Sequence, residues 1–90
     1  MHYVTKVEYG GGYAVTVWFE DGAVKCADLQ PYLEGEVFEP LRDRRLFATV
    51  RLNPDIDTIV WENGADMSPD FLYEIGRPIL KVAEGRSTYG

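Results

Sequence analysis

The run Trp61-Glu62-Asn63-Gly64-Ala65-Asp66-Met67-Ser68-Pro69-Asp70-Phe71-Leu72-Tyr73 carries the densest set of position-specific residues in the sequence, and the architecture turns on it. Just ahead of it, Thr58-Ile59-Val60 joins Trp61 in a β-branched and aromatic run, which marks the end of a strand. Asn63-Gly64 tolerates positive φ, so the chain reverses there. Ser68-Pro69-Asp70 then opens a helix. The Ser68 hydroxyl can accept from a free N–H of the first turn, Pro69 sits where no N–H is required, and Asp70 lies near the positive end of the helix dipole. Met67 and Leu72 stand at the spacing of a hydrophobic staple. Phe71, Leu72 and Ile75 share a helical face, and Gly76 supplies a stop. The stretch therefore reads as a strand reversing into a short helix that lids the interior.

Working outward toward the N-terminus, Tyr3 to Tyr9 is rich in Tyr, Val and Thr and reads as a first strand. Gly10-Gly11-Gly12 is a hairpin loop. It lacks the Lys and Ser/Thr of a phosphate-cradling loop, and no helix follows it. Tyr13 to Glu20 alternates with period 2, placing Tyr13, Val15, Val17 and Phe19 on one face. Asp21-Gly22 signals a two-residue hairpin, which would set Phe19 opposite Val24 and Val17 opposite Cys26. Cys26 then becomes a small core residue, with no base or helix N-terminus beside it to activate a thiolate.

Leu29 to Leu33 leaves the sheet as a short turn or one helical turn. Residues 34 to 40 form a loop with Phe38 tucked inward, and Leu41 to Phe47 reads as a short surface helix with local ion pairs. Ala48 to Asn53 is a fourth strand with Val50 and Leu52 inward, and Thr58 to Trp61 is a fifth. Past Gly76, Ile79, Leu80 and Val82 can add an edge strand, for which Pro78 is suited, and the last residues are expected to be mobile. The expected architecture is α+β: a curled antiparallel sheet of about five strands with short helices near 41–47 and 69–75. Residues 1–75 form the domain, and 76–90 a C-terminal extension.

Composition narrows the function. The 90 residues suffice for one small domain, and 46% are hydrophobic, enough for a thin core. A net charge of −6 disfavours attraction to nucleic acid or anionic membrane. No run approaches the roughly 18 apolar residues of a membrane helix, and the N-terminus lacks a secretory hydrophobic region. A lone cysteine makes no intrachain disulfide, so the cytoplasm is the expected compartment. A thin core and exposed strand edges point to a protein partner or to a homodimer.

No catalytic constellation can be assembled. The one histidine, His2, stands near the N-terminus, and neither a Ser/His/Asp, a Cys/His nor a paired-carboxylate arrangement is evident. Trp61, Asn63, Asp66, Asp70 and Tyr73 are the candidate binding residues, because polar groups beside a tryptophan can orient a ligand. Their structural roles compete: Asn63 serves the turn, Asp66 can bond local backbone, and Tyr73 can lie over the sheet. Glu34, Glu36 and Glu39 on a loop without histidine read as a solvated face. Asp55 and Asp57 lack the Gly and terminal Glu of an EF-hand loop. No metal or cofactor is expected. Arg42, Arg44 and Arg45, with Arg51 further on, form a weak basic patch on an acidic chain.

Phe19-Glu20-Asp21-Gly22, Asp28-Leu29, Val37-Phe38-Glu39-Pro40-Leu41, Leu46-Phe47, and Trp61 with Asn63-Gly64-Ala65-Asp66 through Leu72-Tyr73 together carry a pattern. It resembles domain-of-unknown-function family 2442, from about Tyr3 to Glu74. That family usually has Pro where this chain has Glu62, and often Gly where Asp57 stands. The resemblance implies a small bacterial α+β domain. Some relatives carry an appended helix-turn-helix domain, and others look like members of two-gene toxin–antitoxin-type modules. The chain after Glu74 is too short for the extra DNA-binding domain, so a regulatory role would run through a protein partner. Three functions follow as expectations. The first is a non-catalytic interaction module, antitoxin-like in one form. The second is a ligand or enzymatic site around Asn63, Asp66, Asp70 and Tyr73. The third is nucleic-acid binding through the arginines.

Overall fold

The computed structural model describes residues 1–79. In chain order these form β1 (Val4–Tyr9), β2 (Ala14–Phe19), β3 (Val24–Asp28), α1 (Arg44–Phe47), β4 (Arg51–Asn53), β5 (Thr58–Val60), α2 (Pro69–Ile75) and β6 (Arg77–Pro78). Short 3-10 turns at Gln30–Tyr32 and Glu39–Arg42 occupy the link between β3 and α1. The fold is α+β with antiparallel pairing, but the strands are not one curled sheet of five. They divide into a four-stranded sheet ordered β1-β2-β3-β6 and a separate β4-β5 ribbon. The fourth expected strand is shortened at its start because Ala48 to Val50 remain in the turn that ends α1, with Thr49 N–H donating to Leu46 O and Val50 N–H to Phe47 O. The ribbon joins the sheet flank through one backbone bond, Val4 N–H to Asp57 O at 2.9 Å.

The alternation in β2 is borne out: Val15, Val17 and Phe19 are buried on the inner face. In β1 the register slips at Thr5, where Val4 pairs with Phe19 but Lys6 with Trp18. That bulge is why Val4 and Val7, three residues apart, both turn toward the core.

The β2–β3 register differs from the expected one by a residue. Trp18 pairs with Val24, Val17 with Lys25 and Thr16 with Cys26. The loop has three residues rather than two. Gly22 N–H donates to Phe19 O at 3.0 Å, Phe19 N–H to Ala23 O at 2.9 Å, and Gly22 takes φ +89°. This is a type I turn closed by a left-handed glycine, a G1 bulge. A one-residue shift in a period-2 structure exchanges the faces. Ala27 is therefore the buried partner of Val15, and Cys26, expected in the core, is exposed.

The expected 41–47 helix is split at Asp43, which leaves the helical region at ψ 115° and accepts Arg45 N–H on its carboxylate. Asp43 thus caps α1 and, among the described residues, makes no ion pair. Among the described residues Arg42, Arg44 and Arg45 have none either, contrary to the local pairs expected. Phe38, Val50 and Leu52 pack half-buried against the core.

α2 runs over Pro69–Ile75 with Ser68 as its cap, the Ser68 Oγ accepting Phe71 N–H at 3.5 Å. Leu72 is fully buried, Met67 is buried, and Phe71 and Ile75 pack half-buried beside them. Gly76 ends the helix, although not through a left-handed φ. Its φ is −71°, and a methyl placed there would lie 2.8 Å from Lys25 Cβ and 2.9 Å from Leu72 O. Glycine is needed because the helix end presses on β3. The expected edge strand begins as β6, pairing Arg77 with Cys26. Leu80, Val82 and the expected mobile end lie outside the described residues.

Candidate functional site

The five candidate binding residues are not brought to one place. Trp61 is buried, and its indole N–H donates to Phe47 O at 2.9 Å, tying the end of β5 to α1. Asn63 accepts Ala65 N–H on its side-chain oxygen and donates from Nδ2 to Val37 O, bracing the 34–40 loop. Both are structural, as the turn reading of Asn63 anticipated. Asp66 bridges β5 through its backbone opposite Val60 and exposes its carboxylate. Asp70 and Tyr73 belong to a different cluster, where the N-terminal segment of the chain packs on α2.

That cluster is a clasp. The His2 ring stacks on Tyr73 with centroids 3.6 Å apart and planes within 4°. His2 N–H donates to Asp70 Oδ1 at 2.7 Å, and Tyr3 N–H to Glu20 Oε1 at 2.7 Å. The Tyr73 hydroxyl donates to Asp21 Oδ2 at 2.6 Å, while its ring meets Phe19 edge-on and carries Lys25 Nζ at 3.6 Å from its centroid. Tyr73 thus lies over the sheet. The bond from Tyr3 N–H, helped by His2, lowers the Glu20 pKa below its ordinary value. The bond from Tyr73, with that from Ala23 N–H, lowers Asp21, and the same Asp21 bond raises Tyr73. His2, Glu20 and Asp21 place ligand-type atoms within 4.8 Å of one another. An imidazole with two carboxylates suits a divalent ion chemically, yet every one of these groups already has a hydrogen-bond partner.

The second region is a groove beside α2 of about 480 Å³. Tyr32 and Phe71 meet edge to face on it, with centroids 5.1 Å apart. Phe38 and Met67 contribute apolar surface, and Glu34 and Asp66 stand on its walls. Among the described residues neither carboxylate has an ion-pair or hydrogen-bond partner on its side chain. Pro31 and Tyr32 also line a neighbouring hollow of about 460 Å³ that reaches Cys26, Asp28, Ile75 and Arg77. Of the five candidates, only Asp66 lies in the groove.

Residues 4–78 match the family model described as "Protein of unknown function (DUF2442)". The chain belongs to the DUF2442 family. Comparisons with curated proteins and with solved structures return no match. The DUF2442 match takes in the whole groove, from Pro31 to Phe71, but begins after His2 and Tyr3, so the clasp is only partly within it.

The arginines serve the fold in part. Arg42 Nε donates to Leu33 O at 2.9 Å, and the Tyr13 hydroxyl donates to Arg42 O. The Arg44 guanidinium lies 5.5 Å from the Tyr13 ring centroid. Sequence reasoning missed the 29–34 side of the groove. Tyr32 carried no site reading in the linear chain, its one available signal being an aromatic beside a proline in a turn, and Glu34 was read with Glu36 and Glu39 as a solvated face, in keeping with the exposure of all three.

No helix among the described residues is long and apolar enough to cross a membrane.

Proposed function

We propose that this DUF2442 chain is a non-catalytic protein-interaction module that docks a partner in the groove beside α2. The observation that carries the reading is the groove itself: the exposed ring of Tyr32 and the half-buried rings of Phe38 and Phe71, flanked by carboxylates that have no hydrogen-bond or ion-pair partner among the described residues. Aromatic residues and Met are the residue types that supply affinity at interface centres. Its lining holds no His, Cys or Lys, its carboxylates Glu34 and Asp66 have no partner among the described residues to orient them for acid–base work, and Ser68 is spent on capping α2. An antitoxin-like role in a two-gene pair is the specific form that the family likeness suggests, and the net charge of −6 suits a basic partner. A cytoplasmic setting belongs to the same reading, since an exposed free thiol persists in a reducing compartment.

The test is photo-crosslinking in the native cell. A photoreactive phenylalanine analogue replaces Tyr32 in the groove or, as control, Glu8 on the outer sheet. The expected result is one dominant adduct from position 32 and none from position 8, with the purified partner then binding the isolated chain. An adduct at twice the chain mass would identify the partner as a second copy. Identical adducts from both positions, or none from 32, would remove the groove as the docking surface.

A further inference from the structure

We infer that the segment seated in this groove presents a cationic side chain, arginine or lysine, between apolar neighbours. The inference rests on the groove being a docking surface and names the chemistry of its occupant. Tyr32, Phe38 and Phe71 offer apolar surface that favours apolar contact. An occupant that covers them also covers Glu34 and Asp66, which line the same groove. A purely apolar segment would strip water from two carboxylates without replacing it, and desolvating an unpaired charge is costly. An acidic segment would add repulsion to a chain of net charge −6. A cation removes the penalty, because it can pair with a carboxylate while lying on an aromatic face.

The described residues use this chemistry once within themselves: Lys6 Nζ lies 4.6 Å from the Trp18 ring centroid and 3.4 Å from Glu8 Oε2. Lys25 Nζ, 3.6 Å from the Tyr73 ring centroid, and the Arg44 guanidinium, 5.5 Å from that of Tyr13, show the aromatic half of it. Elsewhere Asp21, Asp28, Asp43 and Asp70 accept backbone N–H groups. Among the described residues Glu34 and Asp66 have no such engagement, which leaves both carboxylates for a ligand.

The experiment titrates the ¹⁵N-labelled full chain with two peptides, acetyl-Phe-Arg-Phe-amide and its citrulline counterpart. Citrulline keeps the shape of arginine and removes its charge. The arginine peptide is expected to shift the amide signals of Tyr32, Glu34, Asp66 and Phe71 and to bind about fivefold more tightly than the citrulline peptide, the scale of partly exposed ion pairs with a cation–π contribution. The double variant Glu34→Gln, Asp66→Asn, both sites being exposed, should keep a dispersed spectrum and lose the difference. Equal affinities for the two peptides, a difference that survives in the double variant, or no shift in the groove from either peptide would overturn the inference. Equal binding within the groove leaves the docking reading standing. The crosslink from position 32 decides that reading on its own.

Discussion

At the residue scale, Asp57 is the one non-glycine residue with positive φ among those described, at φ 57°. It closes the β4–β5 turn, where Ile56 and Asp57 N–H groups both donate to Asn53 O. A Cβ is disfavoured there, although Asp tolerates the region better than most residues. The resemblance noted Gly at this position, and the backbone explains why. Asp57→Gly should raise stability by about 0.5 kcal/mol, the relief of left-handed strain less the added backbone entropy of glycine. The Asp57 carbonyl that receives Val4 N–H is retained. Urea denaturation of the two proteins checks this, and a lower midpoint for the variant would refute it. Glu62 has a similar explanation. Its N–H donates to Thr49 Oγ1 at 3.2 Å, a bond that the proline usual in the family could not make.

At the element scale, the chain uses one reversal twice. Phe19-Glu20-Asp21-Gly22-Ala23 and Trp61-Glu62-Asn63-Gly64-Ala65 each pass from a buried aromatic, through a glycine near φ +90°, to an alanine whose N–H donates to the Asp or Asn side chain. In each, the aromatic N–H donates to the alanine carbonyl at 2.9 Å, and the glycine N–H to the aromatic carbonyl at 3.0 Å. Reading Asp21-Gly22 as a two-residue loop omits Glu20 from the turn. That omission moved Cys26 to the wrong face. The matching five-residue unit at Trp61 was the available signal for the longer loop. The register has a direct chemical consequence: Cys26 should react with a thiol reagent in native buffer, near one equivalent per chain and without denaturant. Labelling that requires unfolding would restore the two-residue register and place Cys26 in the core.

At the scale of the whole molecule, the clasp links the N-terminal segment, the β2–β3 turn and α2. Asp21 and Glu20 have lowered pKa values, from ordinary values of 3.8 and 4.5. Their contribution is present above those values and is lost as pH falls through the depressed folded values. Tyr73 is raised above 10.0, so its share is present below that value and is lost as pH climbs through the raised one. The wild-type thermal midpoint should therefore fall on acidification below about pH 4.5, the ordinary Glu20 value. It should fall again on alkalinisation above pH 10.0, the ordinary Tyr73 value. Tyr73→Phe keeps the ring packing on His2 and Phe19 but removes the hydroxyl bond to Asp21. Its acid decline should be shallower, and the alkaline decline due to Tyr73 should disappear. Circular dichroism melts from pH 3 to 11 measure both limbs. Parallel curves for the two proteins would show that the bond adds nothing.

The linear chain determined the parts whose physics is local. Alternation marked β2, and Ser68-Pro69 with the spacing of Met67 and Leu72 marked α2 with its cap and buried staple. The run from Trp61 to Tyr73 pointed to the family. Tertiary structure decided the division into a sheet and a ribbon, the face of Cys26, and the close approach that requires glycine at Gly76. It also decided the site. Tyr32 and Phe71 stand thirty-nine positions apart and meet only because tertiary packing sets the 29–34 turn against α2. Hydrogen bonding and capping act within a few residues, so composition and spacing reveal them. A groove is made of surfaces left over when distant elements pack, and no local pattern encodes which side chains will share it.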